Sequence, residues 1–288
     1  MVQKFDKFLL PEDDGLPTRP SQRYARDKLR AVETYIKIVN TAMREKPWRD
    51  RYYIDLFAGP GKNKIGDSVE LGSPLIALVD KHGFTKYRFN EEKQEIYNAL
   101  QKRVEVSPRK DSARIYQRDA NQVVDEICTE IEARNTEYIE GVWWHAFNIA
   151  FLDPEGLELH WTTVERLAQI TKMDLIINFS TSGILRSLGA HEYQVLDRFF
   201  GTKEWRTAYV DTDDATAKRR KFIDFYLGRL QRFGYYTDID DNYGIPFKNS
   251  KNVQVYSLIF ACKDELGYKL WREGVKSSSQ KRRLPGFE

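Results

Sequence analysis

Acidic residues stand at the ends of short apolar runs in this chain. Asp55 closes Tyr52-Tyr53-Ile54 and is followed by Leu56-Phe57-Ala58-Gly59-Pro60-Gly61. Glu91 follows 86–90, Asp119-Ala120 follows 113–117, and Asp153-Pro154-Glu155-Gly156 follows 146–152. Carboxylates gathered at one sheet edge repel one another, so a purely structural sheet has no need of them. A nucleoside-containing ligand does. Glycines at 59 and 61 would let backbone approach it closely. Glu91 could accept both hydrogen bonds of a ribose diol. Asp119 could receive an adenine amino group, or simply cap the helix that begins at Asn121. Asp153 would stand beside the reacting group, or cap the helix before Trp161.

Two phosphate motifs are excluded. Gly61 and Gly66 have the spacing of a P-loop, but Asp67-Ser68 follows instead of Lys and a hydroxyl. This argues against another kind of nucleotide-dependent enzyme. Gly59-Pro60-Gly61-Lys62-Asn63-Lys64 lacks the third glycine of a dinucleotide fingerprint. Residues 62–72 read as a loop over the pocket.

Alternating elements must position these acids. Residues 1–20 hold three prolines and Asp13-Asp14-Gly15, and read as an irregular arm. Ala25, Leu29, Val32, Ile36, Val39 and Met43 give the spacing of an amphipathic helix that Pro47 closes. Strands are expected over 51–57, 86–90, 113–117, 146–152 and 173–179. Helices are expected over 74–80, with Ser73 as a cap, and over 92–104, 121–134 and 161–170. Five such units in series predict a mostly parallel sheet with helices on both faces, a Rossmann-like α/β fold. Residues 184–233 form a helical stretch rich in aromatics, expected to cap the substrate side. Strand candidates at 235–239 and 253–261 end the domain, at least one of them antiparallel. One domain over 21–288 follows the arm.

The bulk composition fits a soluble enzyme-sized domain. The 288 residues are 41% hydrophobic and 31% charged, with a net charge of +3. No apolar run approaches the roughly 18 residues of a membrane span. Cys128 and Cys262 form no metal-binding pair, and no metal site is expected. Free thiols and the lack of a secretory leader point to the cytoplasm. Two basic clusters, Lys218-Arg219-Arg220-Lys221 with Arg229 and Arg232, and Lys276, Lys281, Arg282 and Arg283, are either solvated surface or face a polyphosphate. Arg186 could hold a phosphate. Arg23 and Lys28 sit on a solvated helix face or meet a ligand carboxylate. His160 is a weak acid–base candidate, and Trp143-Trp144 read as core.

Several stretches resemble the three-Cys-motif partner proteins. They are Tyr53-Ile54-Asp55-Leu56-Phe57-Ala58-Gly59-Pro60-Gly61, Gly72-Ser73-Pro74-Leu75-Ile76-Ala77-Leu78 and Asp153-Pro154-Glu155-Gly156 with Trp161. Asp27-Lys28-Leu29 with Tyr35, and Tyr256-Ser257-Leu258-Ile259-Phe260-Ala261, extend the resemblance over roughly 20–275. It implies a class I methyltransferase fold with S-adenosylmethionine as cofactor, and a radical-SAM-like partner that carries three cysteines. Asp55, Phe57, Gly59, Gly61, Ser73, Glu91, Asp119 and Ala120 would then bind the cofactor. Asp153, Pro154 and Gly156 would form the catalytic motif, acting on a base nitrogen of nucleic acid or a related polyanion. Members commonly carry an aromatic where Glu155 stands, so the stacking surface for a flat base would come from an aromatic within 193–205. The alternative is a methyltransferase-like subunit that binds without catalysis and serves the partner.

Overall fold

The structure, a computed structural model, describes residues 6–138, 140, 144–208, 214–237, 244–250 and 252–276. Five parallel strands build its centre: β2 (Arg51–Asp55), β5 (Lys86–Asn90), β6 (Ala113–Tyr116), β7 (Phe147–Leu152) and β8 (Met173–Phe179). Two more, β10 (Ile245–Lys248) and β11 (Gln254–Cys262), complete the order β10-β11-β8-β7-β2-β5-β6. β11 runs antiparallel to β8, and β10 antiparallel to β11. The short β9 (Tyr236–Thr237) also pairs with β11. This is the Rossmann-like, mostly parallel α/β arrangement expected from the sequence, including the antiparallel return. The chain reverses direction across the sheet at β2 and β7, the topological switch point where such sheets bind ligands.

Period-two alternation gives each strand two apolar faces. On β2, Tyr52 and Ile54 face α4 (Ala120–Thr136), α5 (Trp161–Gln169), α7 (Tyr193–Phe200) and α9 (Ala215–Gln231). Tyr53 faces the other way, onto α1 (Arg23–Met43), α2 (Ser73–Val79) and α3 (Gln94–Glu105). The stretch after β8 continues through α6 (Thr181–Gly189), α7, α8 (Trp205–Ala208) and α9. Its aromatics Phe199, Phe200, Trp205, Phe222 and Tyr226 are buried in one cluster. The chain closes with α10 (Glu265–Leu270) and the turn Trp271–Lys276, where the Trp271 ring stacks on Phe260 at 4.6 Å.

One expectation changes. Residues 62–72 are not an open loop. They form a hairpin of β3 (Lys62–Ile65) and β4 (Ser68–Leu71) around a Gly66-Asp67 turn, with Gly66 at φ +63°. The N-terminal arm, read as irregular, is anchored to the domain. Its β1 (Arg19–Pro20) pairs with β3, and Asp14 is buried against two cations. Asp14 accepts hydrogen bonds from Arg103 at 2.7 and 2.8 Å and lies 2.8 Å from the Lys62 ammonium. Burial would raise the Asp14 carboxyl, but these partners outweigh it and hold it at about 2. Arg103 also donates to the Pro60 carbonyl at 2.6 Å, so it ties the arm to the glycine loop.

Candidate functional site

The loops beyond β2, β5, β6 and β7 enclose a cleft of about 490 Å³, within the range of small-molecule sites. Local hydrogen bonds hold its walls. The Asn90 amide, at the end of β5, donates to the carbonyls of Leu56 at 3.1 Å and Arg118 at 2.9 Å, and so links three strand ends. Asp119 caps α4, accepting from the Asn121 N–H at 2.7 Å. Asn121 in turn donates to the Glu158 carbonyl at 2.9 Å and accepts from the His160 N–H at 2.9 Å. Phe57, Gly59, Glu91, Asp119, Ala120 and Asp153 all line this cleft. Gly59 has φ +62°, a conformation that L side chains rarely adopt, and the space where its side chain would stand is open. Burial raises the Glu91 carboxyl, although the Lys93 N–H donates to it at 2.8 Å.

A smaller, more polar pocket adjoins it and shares Arg19, Phe57 and Asp153 as a common wall. Gly61, Ser73 and Pro154 line this second pocket, together with Tyr24, Lys28, Asn178 and Tyr256. Gly61 has φ +90°, where an L side chain is strained, and a side-chain carbon there would press on Leu75 at 3.1 Å. Asp153 is the centre of the pocket's charge. Lys28 contacts both its oxygens at 2.6 Å, the Asn178 amide donates at 2.7 Å, and Arg19 stands 3.8 Å away. Burial would raise the Asp153 carboxyl, but Lys28 and Arg19 more than offset it and hold it below its ordinary range.

Two predicted residues do not line either pocket. Asp55 lies behind the glycine loop, fully buried. It accepts from the Ser73 hydroxyl at 2.6 Å and the Phe57 N–H at 3.2 Å, so it orders the loop. Burial, with the nearby Asp153 charge adding to it, pushes its carboxyl up to about 7 despite the Ser73 hydrogen bond. Gly156 also falls outside both linings. Ser73 is the first residue of α2 and Gly72 is its cap, contrary to the capping role read for Ser73.

Other readings resolve as follows. His160 caps α5 by position, so Asp153 does not. Lys28 is not on a solvated face but buried on Asp153. No described residue of 184–233 lines either pocket, and the expected stacking aromatics of 193–205 do not line them. Tyr24 and Tyr256 stand there instead, with ring centroids 5.7 Å apart. Arg229 lies over the Trp161 ring at 3.9 Å and donates to the Phe200 carbonyl, so it serves the helical packing. Arg220 is exposed on α9, while Trp143 and residues 281–283 lie outside the described residues. Trp144 is 41% exposed rather than core. Arg19 was hidden from sequence reasoning. Its only signal is a lone cation beside Pro20 at the close of a proline-rich arm.

The arrangement is a cleft lined by strand-end acids at a switch point, opening onto a smaller polar pocket. Neither a family model nor a curated protein matches the chain. Solved structures match it at a distance. Among them is the O-methyltransferase TomG from Streptomyces achromogenes, in complex with SAM. It is 11% identical, with 80% of this chain and 78% of that one covered, at a TM-score of 0.40. Cofactor-bound Rv0187 from MTB is 10% identical, with the same coverage and TM-score. LPL1258 from Legionella pneumophila is 12% identical, with 62% of this chain and 74% of that one covered, at a TM-score of 0.39. No helix among the described residues is long and apolar enough to cross a membrane.

Proposed function

We propose that this chain is an S-adenosylmethionine-dependent methyltransferase. The observation that carries the reading is the meeting of Gly59, Glu91 and Asp119 in one cleft that abuts Asp153. Glu91 would take the ribose diol, the residues around Asp119 and Ala120 the adenine, and the 59–61 turn the close approach of backbone. Bound there, the cofactor would supply an electrophilic methyl group. The protein's part is to position two reactants in line. A carboxylate has about four acceptor sites, and Lys28 and Asn178 occupy three of those on Asp153. One site on Oδ2 remains to orient an acceptor amine.

The finer reading is a nucleic-acid base nitrogen as acceptor, modified together with a three-Cys-motif partner. The Tyr24 and Tyr256 rings at the polar pocket support a flat acceptor, since aromatic faces stack on any base. The resemblance over 53–61, 72–78 and 153–156 supports the partner. A second reading, a binding subunit without catalysis, is favoured by the near-saturation of Asp153 and by the exposed Glu155. Calorimetric titration with S-adenosylmethionine tests the first. Binding should weaken about tenfold or more in Glu91→Ala, and no heat from the natural chain would sink it. Methyl-labelled cofactor with total nucleic acid, with and without the partner, then separates the readings. A stable complex that transfers no label supports the binding subunit.

A further inference from the structure

A second cavity, of about 430 Å³, opens at the opposite edge of the sheet, where β7 and β8 begin. It shares no lining residue with the two pockets described above. Val39 and Met43 of α1, Phe147 and the rings of Trp48 and Trp144 form its apolar walls. The two tryptophans meet edge to face at 4.6 Å, and Trp48 lies 5.3 Å from Phe147. An apolar concavity of this size with a few polar groups has the character of a small-molecule site.

Its floor carries one buried carboxylate. Asp174 is 4% exposed and accepts the Tyr35 hydroxyl at 2.7 Å. A buried carboxylate is costly without a cation, and the nearby cations are engaged elsewhere. Lys172 pairs with Asp264 at 3.4 Å. Lys263 donates to the carbonyls of Ala168 at 2.5 Å and Ile170 at 3.1 Å. His145 and Lys46 also line the cavity, but both are exposed and neither pairs with Asp174. A single hydrogen bond from Tyr35 leaves acceptor capacity on Asp174. The cavity therefore joins an aromatic wall to a buried carboxylate that, among the described residues, has no cation paired with it.

We infer that this cavity binds a small aromatic amine, its ring against Trp48, Trp144 and Phe147 and its ammonium on Asp174. The rings supply apolar area and favour a nearby cation. The amine supplies the countercharge that the protein withholds.

Calorimetry on the full chain with 2-phenylethylamine tests this, with 2-phenylethanol and 3-phenylpropionate as neutral and anionic analogues. The amine should bind saturably and about tenfold or more tighter than the alcohol. Asp174→Asn, close in shape to the natural residue, should bring the amine down to the alcohol's affinity. Trp144→Ala, at the exposed rim, should weaken the amine and the alcohol alike without touching the core. Equal binding of amine and alcohol, undiminished amine binding in both variants, or no heat from any of the compounds overturns the inference.

Discussion

The two edges of the sheet hold buried aspartates in opposite electrostatic settings. β8 and α1 run between them. Asn178 and Lys28 reach Asp153 at the carboxyl edge, and Tyr35 reaches Asp174 at the other. Lys28 and Tyr35 are two helical turns apart, about 10 Å along α1. Asp153 has a cation on both oxygens and titrates low, because Lys28 and Arg19 outweigh its burial. Among the described residues Asp174 is hydrogen-bonded by the Tyr35 hydroxyl and paired with no cation, and burial pushes it up to about 7. Depth of burial thus does not set the charge of an acid. The presence of a cation does.

The strongest way to break this contrast is Lys28→Met. It leaves Asp153 buried with only the more distant Arg19 as countercharge, and should cost about 3 kcal/mol at neutral pH. Denaturant unfolding measures it, and the loss should shrink as falling pH protonates Asp153. A cost under about 1 kcal/mol would mean that the pair contributes little.

The next effect is a pH dependence of opposite sign at the two edges. The raised Asp174 carboxyl gives stability that is fully present below its unfolded value near 4 and is lost as pH rises through about 7. Asp153, held low, gives stability that is present above about 4 and is lost as pH falls through its folded value. Asp174→Asn should therefore stabilise the chain above pH 7, by as much as ~4 kcal/mol, and change little below pH 4. Unfolding curves across that range check it, and a variant that is less stable at pH 8 contradicts the assignment. Asp55, also at about 7, adds a decline of the same sign.

The smallest effect is Tyr35→Phe, which removes the hydroxyl donor from Asp174 and should cost about 1 kcal/mol. It should also move the midpoint of the pH-dependent decline upward. A downward move would show that the hydroxyl does not donate to the carboxylate.

Much of the fold was legible because it rests on local periodicity. Two strands, Lys86–Asn90 and Met173–Phe179, have the bounds expected from their apolar runs. Expected helices at 121–134 and 161–170 lie within a few residues of α4 and α5. The hairpin at 62–71 was missed because its strands are charged and half exposed, with no apolar alternation to mark them. The same holds for the N-terminal arm, whose order comes from Asp14, Arg103 and Lys62 rather than from its own composition.

By itself the sequence determined the order of the elements and the placement of acids at strand ends, because a parallel sheet delivers the residue after each strand to one edge. Tertiary structure alone decided what each acid became. Glu91 and Asp119 face a cleft, and Asp55 turns inward to order a loop. Asp153 gains Lys28 from 125 positions away, and Asp174 gains only Tyr35 from 139 positions away. Charge state follows from such partners, and partners that distant are chosen by packing, not by any local pattern in the chain.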